Sequence, residues 1–172
     1  MAEKKAAFKA LERAIVIEKQ GHAFYAQSAA KMKNENARRA LLGLAQDELS
    51  HIERIKEIFA ALTAGEPVPE VEAGKLTQAE DVFASFRKKL PRQKAEPGAL
   101  KILEMALDAE RKSFYYYQKA ESETREPELK GFFQQLAKEE NGHFEILQNT
   151  HLYLKDPEIW YAREERHMAD GG

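Results

Sequence analysis

The sequence predicts an all-α protein: four long helices in two antiparallel hairpins, joined by a long crossover and followed by a short C-terminal tail. Three observations support this. Apolar residues recur at alternating three- and four-residue spacings along most of the chain. No period-two alternation competes with that pattern. Turn residues and prolines fall between the apolar seams rather than within them.

The first seam runs Phe8, Leu11, Ile15, Glu18, His22, Tyr25, Ala29 and Met32. Asn34-Glu35-Asn36 then supplies turn and capping residues before a second seam of Leu41, Leu44, Glu48, His51, Ile55 and Phe59. That seam ends near Gly65-Glu66-Pro67. From about Thr63 to Pro97 the chain holds four prolines and is long enough to cross a bundle, with Gln78–Leu90 expected as a short helix on the way. The third seam is Leu100, Leu103, Leu107, Glu110, Phe114 and Tyr117. After a break at Glu126-Pro127, the fourth is Leu129, Phe133, Leu136, Glu140, His143 and Leu147. Short turns within each pair make two hairpins. Residues 1–155 are expected to form the bundle. Residues 156–172, which include Trp160, are expected as a tail packing on it or extending from it.

Composition narrows the chemistry. A chain of 172 residues favours one domain. Its 27 basic and 29 acidic residues nearly cancel, which argues against a protein that coats nucleic acid or anionic membrane. No run of about 18 apolar residues occurs, so no membrane span is expected. The charged N-terminus does not resemble a targeting segment, and the expected location is the cytoplasm. With no cysteine, thiol catalysis, Cys-type zinc sites and iron–sulfur clusters are excluded. Redox chemistry here must use oxygen and nitrogen ligands.

The two halves repeat. Adding 92 to a first-half position pairs Ala14 with Ala106, Tyr25 with Tyr117 and Leu44-Ala45 with Leu136-Ala137. The same offset pairs Glu18 with Glu110, Glu48 with Glu140 and His51 with His143. These polar matches are the informative ones, because each sits on a seam otherwise made of Leu, Ile, Phe and Ala. Buried carboxylates without partners cost several kcal/mol each, and no Lys or Arg shares the four stripes near them. Two divalent cations would cancel the four carboxylates, with the imidazoles as neutral nitrogen ligands. In each Glu-x-x-His the three-residue spacing places both side chains on one helix face. The pairs Glu18/Glu48 and Glu110/Glu140 are centred on residues 33 and 125, inside the two turns. All six ligands therefore meet at one level, roughly 20 Å from the turns at about 1.5 Å per residue.

Other residues have two readings. Tyr25 and Tyr117 lie two turns beyond Glu18 and Glu110, as hydrogen-bond donors to ligand carboxylates or as ordinary core tyrosines. His22 either lines the site or is a core histidine with a hydrogen-bond partner; its counterpart is Phe114. A third Glu-x-x-His, Glu164 to His167, has no repeat partner and reads as a solvated surface pair. The basic run Arg87-Lys88-Lys89, with Arg92 and Lys94, reads as a solvated helix end.

The constellation resembles the di-iron carboxylate site of ferritin-like four-helix bundles. Ile17-Glu18-Lys19-Gln20-Gly21-His22-Ala23-Phe24-Tyr25 and Leu44-Ala45-Gln46-Asp47-Glu48-Leu49-Ser50-His51 are similar to rubrerythrins, and the likeness covers about residues 7–155. The tail resembles that of members lacking a rubredoxin domain. The resemblance implies that Glu48 and Glu140 bridge two iron ions, with Glu18 and His51 completing one and Glu110 and His143 the other. Manganese or zinc are the alternative metals. Where many rubrerythrins carry a further carboxylate after the third-helix Glu, this chain has Ser113, which bears on peroxidase efficiency.

The implied activity is reduction of hydrogen peroxide, or reaction with dioxygen, using an external donor such as rubredoxin or a flavoprotein. The protein would be a homodimer or larger homo-oligomer. Two other readings stand beside it. One is ferroxidase and storage as in bacterioferritins, although Leu49 replaces their haem-binding Met. The other is a bundle without redox metal.

Overall fold

The structure, a computed structural model, describes residues 2–69 and 97–170. Among these there are five helices and no strand: α1 Ala2–Lys31, α2 Glu35–Ala64, α3 Pro97–Glu123, α4 Pro127–Lys155 and α5 Pro157–Asp170. The all-α bundle predicted from periodicity is the observed fold. The expected helix at 78–90 and the basic run of residues 87–94 lie outside the described residues.

Local chemistry sets the helix ends. Asn34 has extended backbone and accepts from the Asn36 and Ala37 amides, each at 3.1 Å, which satisfies two N–H groups at the start of α2. At the other end Gly65 takes a left-handed φ of 73°, and the Glu66 amide closes on the Ala61 carbonyl at 2.9 Å. The turn before α4 works differently. Glu126 gives no side-chain cap, and Pro127 begins the helix with a preset φ and no N–H to satisfy.

Helices α1 and α2 pack as one hairpin and α3 and α4 as another; α1 touches α3, and α2 touches α4. The core falls into two apolar clusters that give the relative directions. One joins Tyr25, Met32 and Leu41 to Leu103, Leu147 and Trp160. The other joins Leu11, Ile55 and Leu62 to Tyr117, Leu129 and Phe133. The end of α1 thus meets the beginning of α3, so these helices run antiparallel, and α2 and α4 do likewise. The hairpins are related by an approximate twofold axis across the bundle. Val68 packs in the second cluster and Ala99 against the first, so the two described chain ends flanking residues 70–96 lie at opposite ends of the bundle.

The tail is a helix. Asp156 caps it, accepting the Ile159 amide at 3.1 Å. Trp160 is fully buried, donates its indole N–H to Asn149 Oδ1 at 2.7 Å and meets Tyr153 edge-on. No described helix is long and apolar enough to cross a membrane.

Candidate metal centre

Between the two apolar clusters lies a polar layer. Glu18 on α1, Glu48 and His51 on α2, Glu110 on α3, and Glu140 and His143 on α4 are all buried, none more than 3 % exposed. Their ligand atoms form two overlapping groups, each within 4.8 Å: Glu18, Glu48, His51 and Glu140, then Glu48, Glu110, Glu140 and His143. Glu48 and Glu140 belong to both. Every one of the six residues singled out from the sequence is in this layer.

Both imidazoles turn Nδ1 inward. His51 Nδ1 is 2.9 Å from Glu18, 3.4 Å from Glu140 and 3.6 Å from Glu48. His143 Nδ1 is 3.6 Å from Glu48, 3.7 Å from Glu110 and 3.8 Å from Glu140. The two rings stack nearly parallel, with centroids 5.4 Å apart.

Such density of charge shifts the ionisations. Burial, then the neighbouring Glu18 charge, pushes Glu48 up to about 8. Burial and the Glu110 charge push Glu140 up as well. Burial also opposes ionisation of Glu18, but Glu48, His51 and Tyr117 together outweigh it and hold Glu18 at about 2. Desolvation lowers both histidines, yet the surrounding carboxylates leave each well above the ordinary imidazole range.

Buried polar atoms without a hydrogen-bond partner collect in this layer: Glu110 Oε2, Glu140 Oε1 and both ring nitrogens of His143. Leaving such atoms unsatisfied costs about 1–3 kcal/mol each, more when charged. Four carboxylates and two imidazoles with inward lone pairs are a donor set that divalent metal ions satisfy, so the residues present fit a metal pair.

The tyrosines take the donor role. Tyr25 donates to Glu110 Oε1 and Tyr117 to Glu18 Oε1, each phenol reaching the carboxylate of the opposite half. The crossing follows from antiparallel α1 and α3, which sequence spacing does not reveal. Burial and adjacent carboxylates, Glu110 for Tyr25 and Glu18 for Tyr117, raise both phenols well above their ordinary range. His22 lies outside the layer. It donates Nδ1–H to the Ala45 carbonyl at 2.8 Å, a histidine serving the α1–α2 contact. In the third Glu-x-x-His on α5, Glu165 and Arg166 are exposed and Glu164 is half-buried.

The sequence reading missed an outer set of residues. Asp47 and Glu139, immediately before Glu48 and Glu140, are both buried. Glu139 Oε2 is 2.9 Å from His51 Nε2, a short contact that is not a well-aligned hydrogen bond, and Asp47 Oδ2 is 3.5 Å from His143 Nε2. The signal was available, since the offset of 92 pairs Asp47 with Glu139. Burial opposes ionisation of Glu139, but His51, Arg54 and Gln135 hold it at about 2.

A cavity of about 540 Å³ opens between α1 and α3 and reaches Tyr25, Glu48 and Glu110. Gly21 lines it. A Cβ there would stand 3.1 Å from Glu48 Cδ and 3.2 Å from its Oε1. Glycine inside a helix costs about 0.5–1 kcal/mol relative to alanine; at residue 21 it leaves room for the carboxylate.

Fold and layer together define the class: a ferritin-like helical bundle whose core holds carboxylate and histidine groups able to bind metal. Residues 9–167 match the family model described as Rubrerythrin, and the chain belongs to that family. No curated protein and no solved structure matches it.

Proposed function

We propose that this protein is a di-iron oxidoreductase that reduces hydrogen peroxide to water. The observation that carries the reading is the overlap of two ligand groups on Glu48 and Glu140, which is what a pair of ions sharing two carboxylates requires. Glu18 with His51 would complete one position and Glu110 with His143 the other. Once bound, the iron pair supplies two electrons to the O–O bond, and with two protons the peroxide becomes two waters.

The chain's own residues prepare that step. Tyr25 and Tyr117 stay protonated and fix the outer carboxylates Glu110 and Glu18 by hydrogen bonds. The α1–α3 cavity admits a molecule as small as peroxide to the edge of Glu48 and Glu110, and Gly21 keeps that approach open. Glu48 and Glu140, raised by burial, hold protons in the metal-free protein and release them when metal binds. The electron source in this proposal is an external donor such as a rubredoxin or a flavoprotein; the 172 residues hold no cysteine that could ligate an iron–sulfur electron carrier. A cytoplasmic location and assembly as a homodimer or larger homo-oligomer belong to the same proposal.

The test is peroxide consumption by reduced, iron-loaded protein with an external donor, alongside Glu48→Ala and Glu140→Ala controls. Turnover well above those controls is expected, and turnover equal to them would overturn the reading. Ferroxidase and storage predict a large hollow shell on size exclusion, where the enzyme reading predicts a dimer.

A further inference from the structure

Among the described residues, a half-buried cation reaches the polar layer. Arg54, on α2 one turn beyond His51, has a side chain only 15 % exposed and aims it at Glu139 on α4. Its Nη1 donates to Glu139 Oε1 at 3.1 Å while Nη2 donates to Oε2, a two-pronged grip that fixes the carboxylate plane. Gln135 adds a third bond to Oε1 at 2.7 Å. The oxygen held by Nη2 is the same Oε2 that lies 2.9 Å from His51 Nε2. Close contacts therefore link Arg54 through Glu139 to the outer edge of His51, whose other nitrogen faces Glu18, Glu48 and Glu140.

The repeat does not carry these two residues. Adding 92 to position 54 gives Ile146, a buried apolar residue, and subtracting 92 from position 135 gives Gly43. Arg54 and Gln135 act on one half only.

The geometry points to Arg54 as a positioning residue for the Glu18/His51 metal position and not for the Glu110/His143 position. This rests on the metal-pair reading above. By gripping Glu139, the guanidinium fixes the carboxylate against which the His51 ring is set, and with it the direction in which Nδ1 is presented. Loss of a residue that orients a metal ligand typically weakens binding by about 10–100-fold.

The test titrates metal-free protein with Co(II), following the absorption of the bound ion against a competing chelator. Wild type is expected to take up two equivalents. Arg54→Met is expected to weaken one of them by about tenfold or more and leave the other unchanged. Two backgrounds identify the affected position. Arg54→Met should weaken the ion remaining in His143→Ala and leave the ion remaining in His51→Ala unaffected. Arg54→Lys keeps the charge but not the fork, so most of the loss should persist. Equal weakening at both positions, no weakening at either, or full recovery with Arg54→Lys would overturn the positioning role. Failure of wild type to bind two equivalents would instead overturn the metal pair itself.

Discussion

The two hairpins offer the same donor side chains from different surroundings. Inside, α1–α2 and α3–α4 match residue for residue: one Glu, one Glu-x-x-His and one Tyr apiece. One shell out they diverge. Gly21 corresponds to Ser113, His22 to Phe114 and Arg54 to Ile146 in the repeat. On the metal-pair proposal the inner layer answers to two similar ions needing similar donors, whereas the outer layer answers only to local packing and charge balance.

The largest effect expected separates shared from unshared ligands. Glu48→Ala removes a donor common to both groups and should abolish binding of both ions, while Glu18→Ala should spare the ion held by Glu110 and His143. Metal content by elemental mass spectrometry checks this; equal losses would break the bridging assignment. Next is the glycine comparison. Gly21→Val pushes into the Glu48 carboxyl, a contact already at 3.1 Å for a Cβ alone. Metal affinity should fall about 10–100-fold, against less than threefold for Ser113→Val at the matching position, measured by chelator competition.

The carboxylates also differ in how they titrate, and the metal-free protein should report it. Glu48 is raised to about 8 and Glu140 is raised too, so their contribution is complete below the unfolded value of 4.5 and is lost as pH climbs toward 8. Both histidines are raised and act in the same direction. Glu18, lowered to about 2, runs the opposite way: its contribution is present above 4.5 and lost as pH falls toward 2. The metal-free melting temperature should therefore peak near pH 5 and decline by several degrees toward pH 8, as a rough expectation. Metal should remove that decline. A melting temperature that rises from pH 5 to 8 without metal would contradict these ionisations.

The smallest contrast is between the hairpin turns. Asn34→Ala removes a cap that bonds two amides and should cost about 1 kcal/mol, or about 2–4 °C in melting temperature for a chain of this size. Glu126→Ala, at a cap with no side-chain bond, should change almost nothing. Calorimetry of the two variants settles it.

Much of this was legible before any coordinates. The six inner Glu and His residues stand out because charged residues on apolar seams violate the energetics of burial unless something compensates them, and the offset of 92 shows the violation twice. Asp47 and Glu139 carry the same repeat signal with less contrast. Each adjoins a seam residue rather than sitting on the seam, where an acidic side chain passes for a solvated one. Arg54 had no repeat partner, and nothing in its local pattern separates it from an exposed arginine. The tail was recognised by Trp160, while its helix depends on Asp156 as a cap and on docking against Tyr153 and Asn149.

The sequence by itself determined the helices, the hairpins and the six inner donors, because periodicity and burial cost act along a single chain. Tertiary structure alone decided which half serves which. With α1 antiparallel to α3, Tyr25 reaches Glu110 and Tyr117 reaches Glu18. Packing of α2 against α4 brings Arg54 to Glu139 and thence to His51. Those pairings rest on distances between residues up to 99 positions apart, which no local pattern encodes.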